Sequence, residues 1–107
     1  MAKRSRAPKV DCVAAMKALA DPNRLRVMNE ILTGPVHVTA IAKACGMTAY
    51  NASRALSILA HAGLVAREKK AQQRLYRLSG ACEALVDRRR RTLDLGCCAF
   101  RLDALVE

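Results

Sequence analysis

The residues of this 107-residue chain best equipped for chemistry are its five cysteines, Cys12, Cys45, Cys82, Cys97 and Cys98. An odd number in a chain expected to be cytoplasmic argues against a disulfide framework and leaves metal ligation, redox sensing or plain burial. Cys97 and Cys98 are adjacent, and neighbours on a helix point about 100° apart, a poor geometry for holding one ion. Gly96 reads as a helix stop, which removes that objection. Two soft thiolates in a mobile tail suit trivalent arsenic or mercury, which hard oxygen ligands hold weakly. The cations nearby, Arg101 and the run Arg88 to Arg91, favour the reactive thiolate. Oxidation or persulfide formation is the alternative chemistry, and it needs a partner thiol because a disulfide between adjacent cysteines is strained. His37 and His61 are isolated and read as loop or packing residues. Neither has a setting for a general base, so no catalytic set is expected and the chain does not read as an enzyme.

The second reactive feature is charge. Lys plus Arg total 19 against 9 Asp plus Glu, a formal net charge of +10. Neutralising phosphates with such cations releases condensed counterions, so nucleic acid is the leading partner class. An anionic membrane surface ranks behind it, because the bulky apolar residues are spread over several short segments rather than gathered on one helix face. No apolar run approaches the roughly 20 residues that cross a bilayer, and Met1 to Lys9 lacks the apolar stretch of a secretory signal. A cytoplasmic protein with no membrane partner is expected.

The elements that must position these groups are short. Apolar residues make up 52% of the chain and aromatics 3%, which implies an aliphatic core suited to packed helices. Residues 1–9 read as a flexible basic arm. Val13, Met16, Leu19 and Ala20 recur at helical spacing in a first helix. Asp21 as N-cap and Pro22 at the first helical position open a second, with Leu25, Met28, Ile31 and Leu32 on one face, ended by Gly34 and Pro35. Thr39 precedes a short third helix through Ile41, Ala42 and Cys45, broken by Gly46. Thr48 can cap a fourth whose buried face is Ala52, Leu56 and Leu59, closed by Gly63. Two short helices across a glycine turn form a helix-turn-helix, whose second helix enters the major groove. Leu64 to Arg67 and Arg74 to Leu78 then read as two strands around a polar turn, a basic hairpin. The fold class is therefore mainly α with a small β-hairpin, a winged helix-turn-helix. A last helix is expected over roughly 81–95, with Leu85, Val86 and Leu93 apolar; Asp87 with Arg91 and Asp94 with Arg90 would be its i,i+4 pairs. This divides the chain into the arm 1–9, a winged-helix DNA-binding domain 10–95, and a cysteine-containing tail 96–107.

Thr48, Tyr50, Asn51, Ser53 and Arg54, exposed near the start of the fourth helix, are the candidates to meet base edges and phosphates. Asn51 could read adenine, and Arg54 is assigned to a phosphate in preference to guanine. Lys69, Lys70 and Arg74 on the hairpin are phosphate or minor-groove candidates.

Four segments in order resemble the ArsR-type family of winged-helix repressors: Leu19 to Arg26, Ser53 to Leu56, Ala62 to Val65 and Arg74 to Leu78. The resemblance adds dimerisation to the domain 10–95: it implies a homodimer joined through the first and last helices, bound to an imperfectly palindromic double-stranded operator and released by an inducer. It requires no cofactor. The chain departs from the family where Val36, His37 and Val38 replace a Cys-X-Cys inducer site, and the last helix lacks the spaced Asp and His of zinc and nickel sensors. Ala49, Tyr50 and Ala55 stand where Gln, Ser and His are common, so base preference does not carry over. Members similar to this chain carry a vicinal cysteine pair after the last helix and respond to trivalent arsenicals. The resemblance therefore implies Cys97 and Cys98 as ligands for trivalent arsenic, inorganic or organic, with Hg(II) as a further thiophile. An organic arsenical needs only two sulfurs, whereas arsenite wants a third. Cys12 of a partner chain is the candidate, because the first and last helices are expected to meet across the dimer. Cys82 would lie roughly 22 Å from Cys97 along one helix, leaving only a partner-chain Cys82 open. Cys45 reads as a small core residue. A constitutive DNA-binding protein without a sensing role is the remaining alternative.

Overall fold

The computed structural model describes residues 10–70 and 73–105. The arm expected over 1–9 lies outside the described residues, as do the side chains of Lys69 and Lys70.

Helix α1 spans Cys12–Leu19, and the side chain of its N-cap Asp11 accepts the Ala14 N–H at 3.1 Å. Its buried face is Ala15, Ala18 and Leu19, at i, i+3 and i+4, where the two alanines let α1 lie close against its neighbours and Leu19 fills the core. Val13 and Met16, expected on that face, are instead 54% and 36% exposed. Helix α2, Pro22–Ile31, starts as the sequence dictates: Asp21 accepts the Arg24 N–H at 3.0 Å and Pro22 occupies the first turn. The Arg24 guanidinium turns back to donate to the Ala18 carbonyl at 2.6 Å, fixing the corner between α1 and α2.

Strand β1, Val36–His37, leads directly into α3, Val38–Cys45, whose N-cap is His37 without a side-chain cap bond. Thr39 is thus inside the helix rather than before it. Gly46, at φ 65°, ends α3 in the left-handed conformation that glycine adopts without steric cost. Helix α4 covers Ala49–His61, capped by Thr48 accepting the Asn51 N–H at 3.0 Å, with Ala52, Ala55, Leu56 and Leu59 buried.

Strands β2 (Val65–Lys70) and β3 (Gln73–Leu78) form the hairpin, and β1 pairs with the other edge of β3 to give a three-stranded sheet in the order β1-β3-β2. Both hairpin strands run further toward the tip than the sequence suggests, since Glu68↔Leu75 and Lys69↔Arg74 are paired rather than in a turn. Leu64 and Leu78 at the hairpin base join Met28, Ile31, Leu32, Ile41, Leu56 and Leu59 in one core.

The expected last helix over 81–95 is not formed. Ser79 caps a single turn, α5 (Gly80–Glu83), and the chain then makes a second antiparallel sheet from β4 (Val86–Asp87), β5 (Thr92–Asp94) and β6 (Ala99–Arg101). Helical propensity over this stretch is overridden by tertiary pairing. Thr92, Leu93 and Asp94 find partners in Arg101, Phe100 and Ala99, and Leu93 and Leu102 reach the core at 0% and 1% exposure. The four arginines form the β4–β5 turn, with Arg91 at φ 52°, so the anticipated helical pairs do not arise: Asp87 accepts the Arg90 N–H at 3.1 Å instead. The last helix is thus the single turn α5, and residues 96–105 are folded against the domain rather than trailing from it, with Leu102 1% exposed.

Candidate functional site

Two groups of chemically competent residues lie at different places on this scaffold. The first is built on α4. Burial of Ala52, Ala55, Leu56 and Leu59 on one face leaves Thr48, Tyr50, Asn51 and Arg54 exposed on the other, which is what 3.6-residue periodicity requires. Tyr50 is 68% exposed, and the Arg54 guanidinium lies 6.0 Å from its ring centroid, within cation–π range. Ser53, half-buried, turns toward an open cleft of about 510 Å3 between α4, the start of α3 and the hairpin, which His37, Thr39, Tyr50 and Arg74 also line. The cleft thus brings Tyr50, Ser53 and Arg74 together. From the sequence His37 reads as a loop or packing residue and Thr39 only as a helix neighbour; the pairing of His37 in β1 with Leu75 in β3 brings the start of α3 to the cleft. The backbones of Lys69 and Lys70 continue β2 toward the hairpin tip. An exposed helix with polar side chains on one face, flanked by a basic hairpin, can dock into a duplex groove with the hairpin along the phosphates.

The second group is the sulfurs. Cys97 and Cys98 occupy the turn between β5 and β6, where Gly96 at φ 93° allows the reversal and the Leu95 N–H donates to the Cys98 carbonyl at 2.8 Å. Cys12, at the start of α1, reaches this turn from the same chain. Its Sγ is joined to that of Cys97 as a disulfide, with the Cα atoms 6.4 Å apart. The Cys97 and Cys98 sulfurs are 3.9 Å apart. With two of the three sulfurs bonded to each other, no group of three or more His, Cys, Asp or Glu is poised for a metal ion among the described residues; reduction is what would release three thiols at one place. Arg101 donates to Asp103 at 3.1 and 3.2 Å rather than to the turn.

The other cysteines lie elsewhere. Cys82 is fully buried, and burial foremost, with Glu83 adding to it, pushes its thiol up to about 12. It is a core residue of its own chain. Cys45 is half-buried at the end of α3, and its thiol is also raised, first by burial and then by Glu30.

The sequence profile of the MarR family matches residues 21–74, which is the span from the cap of α2 through α3 and α4 into β3. The chain belongs to the MarR family. This MarR-family chain is 34% identical over 65 residues to the HTH-type transcriptional regulator NmtR of Mycobacterium tuberculosis, a match covering 61% of the chain and 54% of NmtR. It therefore spans about half the length of that curated relative. Among solved structures it is similar to a homodimeric winged helix-turn-helix DNA-binding domain of Mycobacterium bovis, a possible ArsR-family transcriptional regulator. That match has 35% identity and a TM-score of 0.62, covering 64% of each chain. It is also similar to the transcriptional repressor BigR of Xylella fastidiosa, with 26% identity and a TM-score of 0.60 over 65% of this chain and 69% of BigR. The winged helix-turn-helix expected from the sequence is thus the fold of the MarR-family chain, and its relatives are transcriptional regulators rather than enzymes. No helix among the described residues is long and apolar enough to cross a membrane.

Proposed function

We propose that this protein is a homodimeric transcriptional repressor that binds a double-stranded operator through α4 and the β2–β3 hairpin and is released when a thiophilic inducer, foremost a trivalent arsenical, binds Cys12, Cys97 and Cys98 in their reduced form. The observation that carries the sensing part is the convergence of three sulfurs on one turn, from opposite ends of a single chain. Trivalent arsenic takes three ligands, and soft sulfur is its natural partner. Cys12 of the same chain takes the place expected for a partner's cysteine. The DNA-binding part rests on the exposed face of α4, with Thr48, Tyr50, Asn51, Ser53 and Arg54, on Lys69, Lys70 and Arg74 of the hairpin, and on the net charge of +10. Dimerisation is supported by the homodimeric Mycobacterium bovis domain and by the exposed apolar residues Val13 and Met16 of α1. Hg(II) is a further inducer of the same class.

The Cys12–Cys97 contact favours a second reading of the same site. A peroxide can oxidise the two thiols to their disulfide, each thiol giving up its proton and one electron while hydrogen peroxide is reduced to two waters, or an organic hydroperoxide to one alcohol and one water. Cα atoms 6.4 Å apart lie inside the range that a disulfide spans. The deciding experiment is anisotropy binding of the reduced dimer to duplex DNA from upstream of its own coding region, with arsenite, phenylarsine oxide, Hg(II), Zn(II) or peroxide added. Release by arsenite or phenylarsine oxide, lost in Cys97→Ser/Cys98→Ser, is the expected result. Release by peroxide alone assigns the redox reading. Binding that no addition alters refutes sensing altogether.

A further inference from the structure

The carbonyls of the last turn of an α-helix have no partner within the helix and must find one elsewhere. At the end of α2 those partners come from the far side of the sequence. The Arg91 guanidinium donates twice to one residue, from Nε to Asn29 Oδ1 at 2.8 Å and from Nη2 to the Asn29 carbonyl at 3.1 Å. Arg88 donates from Nε to the Leu32 carbonyl at 2.8 Å, while its Nη2 is held by Glu83 at 2.8 Å. Asn29 is the one buried polar residue among the described residues. Two cations at a helix C-terminus also complement its dipole. Arg89 and Arg90 of the same turn are exposed and make no such contact.

The arginines are tied in turn to the cysteine-bearing hairpin. Arg91 directly precedes β5, and its carbonyl accepts the Leu102 N–H at 2.8 Å just beyond β6, so both strands that carry the Cys97–Cys98 turn end on it. Helix α2 packs against both α3 and α4. We propose that Arg88 and Arg91 are positioning residues, clamping the C-terminal end of α2 to the β4–β6 sheet so that a change at the Cys97–Cys98 turn is passed to the DNA-reading helix. Its regulatory meaning rests on the function proposed above; the mechanical link does not. A rearranged turn shifts β5 and β6, which withdraws the guanidinium fork from Asn29 and frees the end of the helix supporting α3 and α4. Coupling of this kind needs a contiguous element that both ends bias, and the fork is that element.

The link is tested without any inducer by hydrogen exchange in reduced protein. Gly96→Val places a branched side chain at φ 93° and strains the turn, so amides of residues 29–34 are expected to exchange about tenfold faster than in wild type. In an Arg88→Gln/Arg91→Gln background these amides are already fast, and Gly96→Val adds nothing. Unchanged exchange at 29–34 in Gly96→Val, or the same increment in both backgrounds, overturns the clamp. Arg91→Lys, which keeps the charge and loses the fork, carries the comparison if the double variant does not fold. A second arm reads function: Arg91→Lys is expected to bind arsenite with wild-type stoichiometry, followed by loss of free thiols, yet to show at least about a fivefold smaller change in DNA affinity on arsenite addition. A change in affinity equal to wild type overturns the clamp as a route of signalling. Failure of arsenite to release wild-type protein counts against the proposed inducer and leaves the exchange result to judge the clamp.

Discussion

Leu102 decides whether the C-terminal residues belong to the core, because the sequence alone places them in a tail. Its side chain is 1% exposed, and its N–H donates to the Arg91 carbonyl at 2.8 Å. Leu102→Ala removes three carbon atoms from the core, about 2.4 kcal/mol in transfer free energy at about 0.8 kcal/mol per buried carbon. The cavity left behind adds to this, so the loss should total about 3 to 4 kcal/mol. For a domain of this size that is a large part of a stability of about 5 to 15 kcal/mol. Urea unfolding of the reduced protein, followed by far-ultraviolet circular dichroism and extrapolated linearly, reads the difference without help from the Cys12–Cys97 bridge. Leu105→Ala, at a residue 40% exposed, is the control and should stay within about 0.5 kcal/mol of wild type. A Leu102→Ala midpoint as close to wild type as that control would refute the packing of β5 and β6 and, with it, the gathering of the three sulfurs.

Further expectations concern titration, capping and charge. Because burial raises the Cys82 thiol to about 12 in the fold against about 8.5 when unfolded, the folded state keeps a proton that the unfolded chain loses. Stability is therefore complete below about pH 8.5 and declines as pH rises toward 12, by up to about 1.4 kcal/mol per unit. Cys82→Ala should flatten that decline in urea midpoints taken from pH 8 to 10.5; an unchanged slope would assign it to other groups. Asp21→Ala removes the acceptor of the Arg24 N–H and should cost about 1 kcal/mol in the same assay, with no loss counting against the cap. Arg74→Ala should lower the slope of log affinity for duplex DNA against log salt by about one; an unaltered slope would mean that Arg74 makes no phosphate contact.

The legible parts of the chain were those whose structure is set by neighbours in sequence. Asp21 with Pro22, Thr48 with Asn51, and Gly46 act through contacts three residues away or through a single backbone angle, and each appears where its chemistry puts it. The exposed face of α4 follows from periodicity in the same way. Over residues 80–105 nothing local distinguishes a helix bearing Leu85, Val86 and Leu93 from the strands that form there. What selects the strands is pairing with Ala99–Arg101 and the acceptance of Arg88 and Arg91 by carbonyls at the end of α2. The same long-range pairing turns Cys97 and Cys98 from a trailing pair into a turn facing Cys12. On α1 Leu19 faces the core as its spacing predicts, but Ala15 and Ala18 rather than Val13 and Met16 share that face.

Cys12 and Cys97 stand 85 residues apart in the chain, so a bridge between them, covalent or through a shared ion, makes the molecule a ring. On the chain-entropy account a loop of that length is worth about 4.5 kcal/mol against unfolding. A protease that cuts the tip of the β2–β3 hairpin would then release no fragment, and the two halves would travel together on a non-reducing gel until the sulfurs are parted.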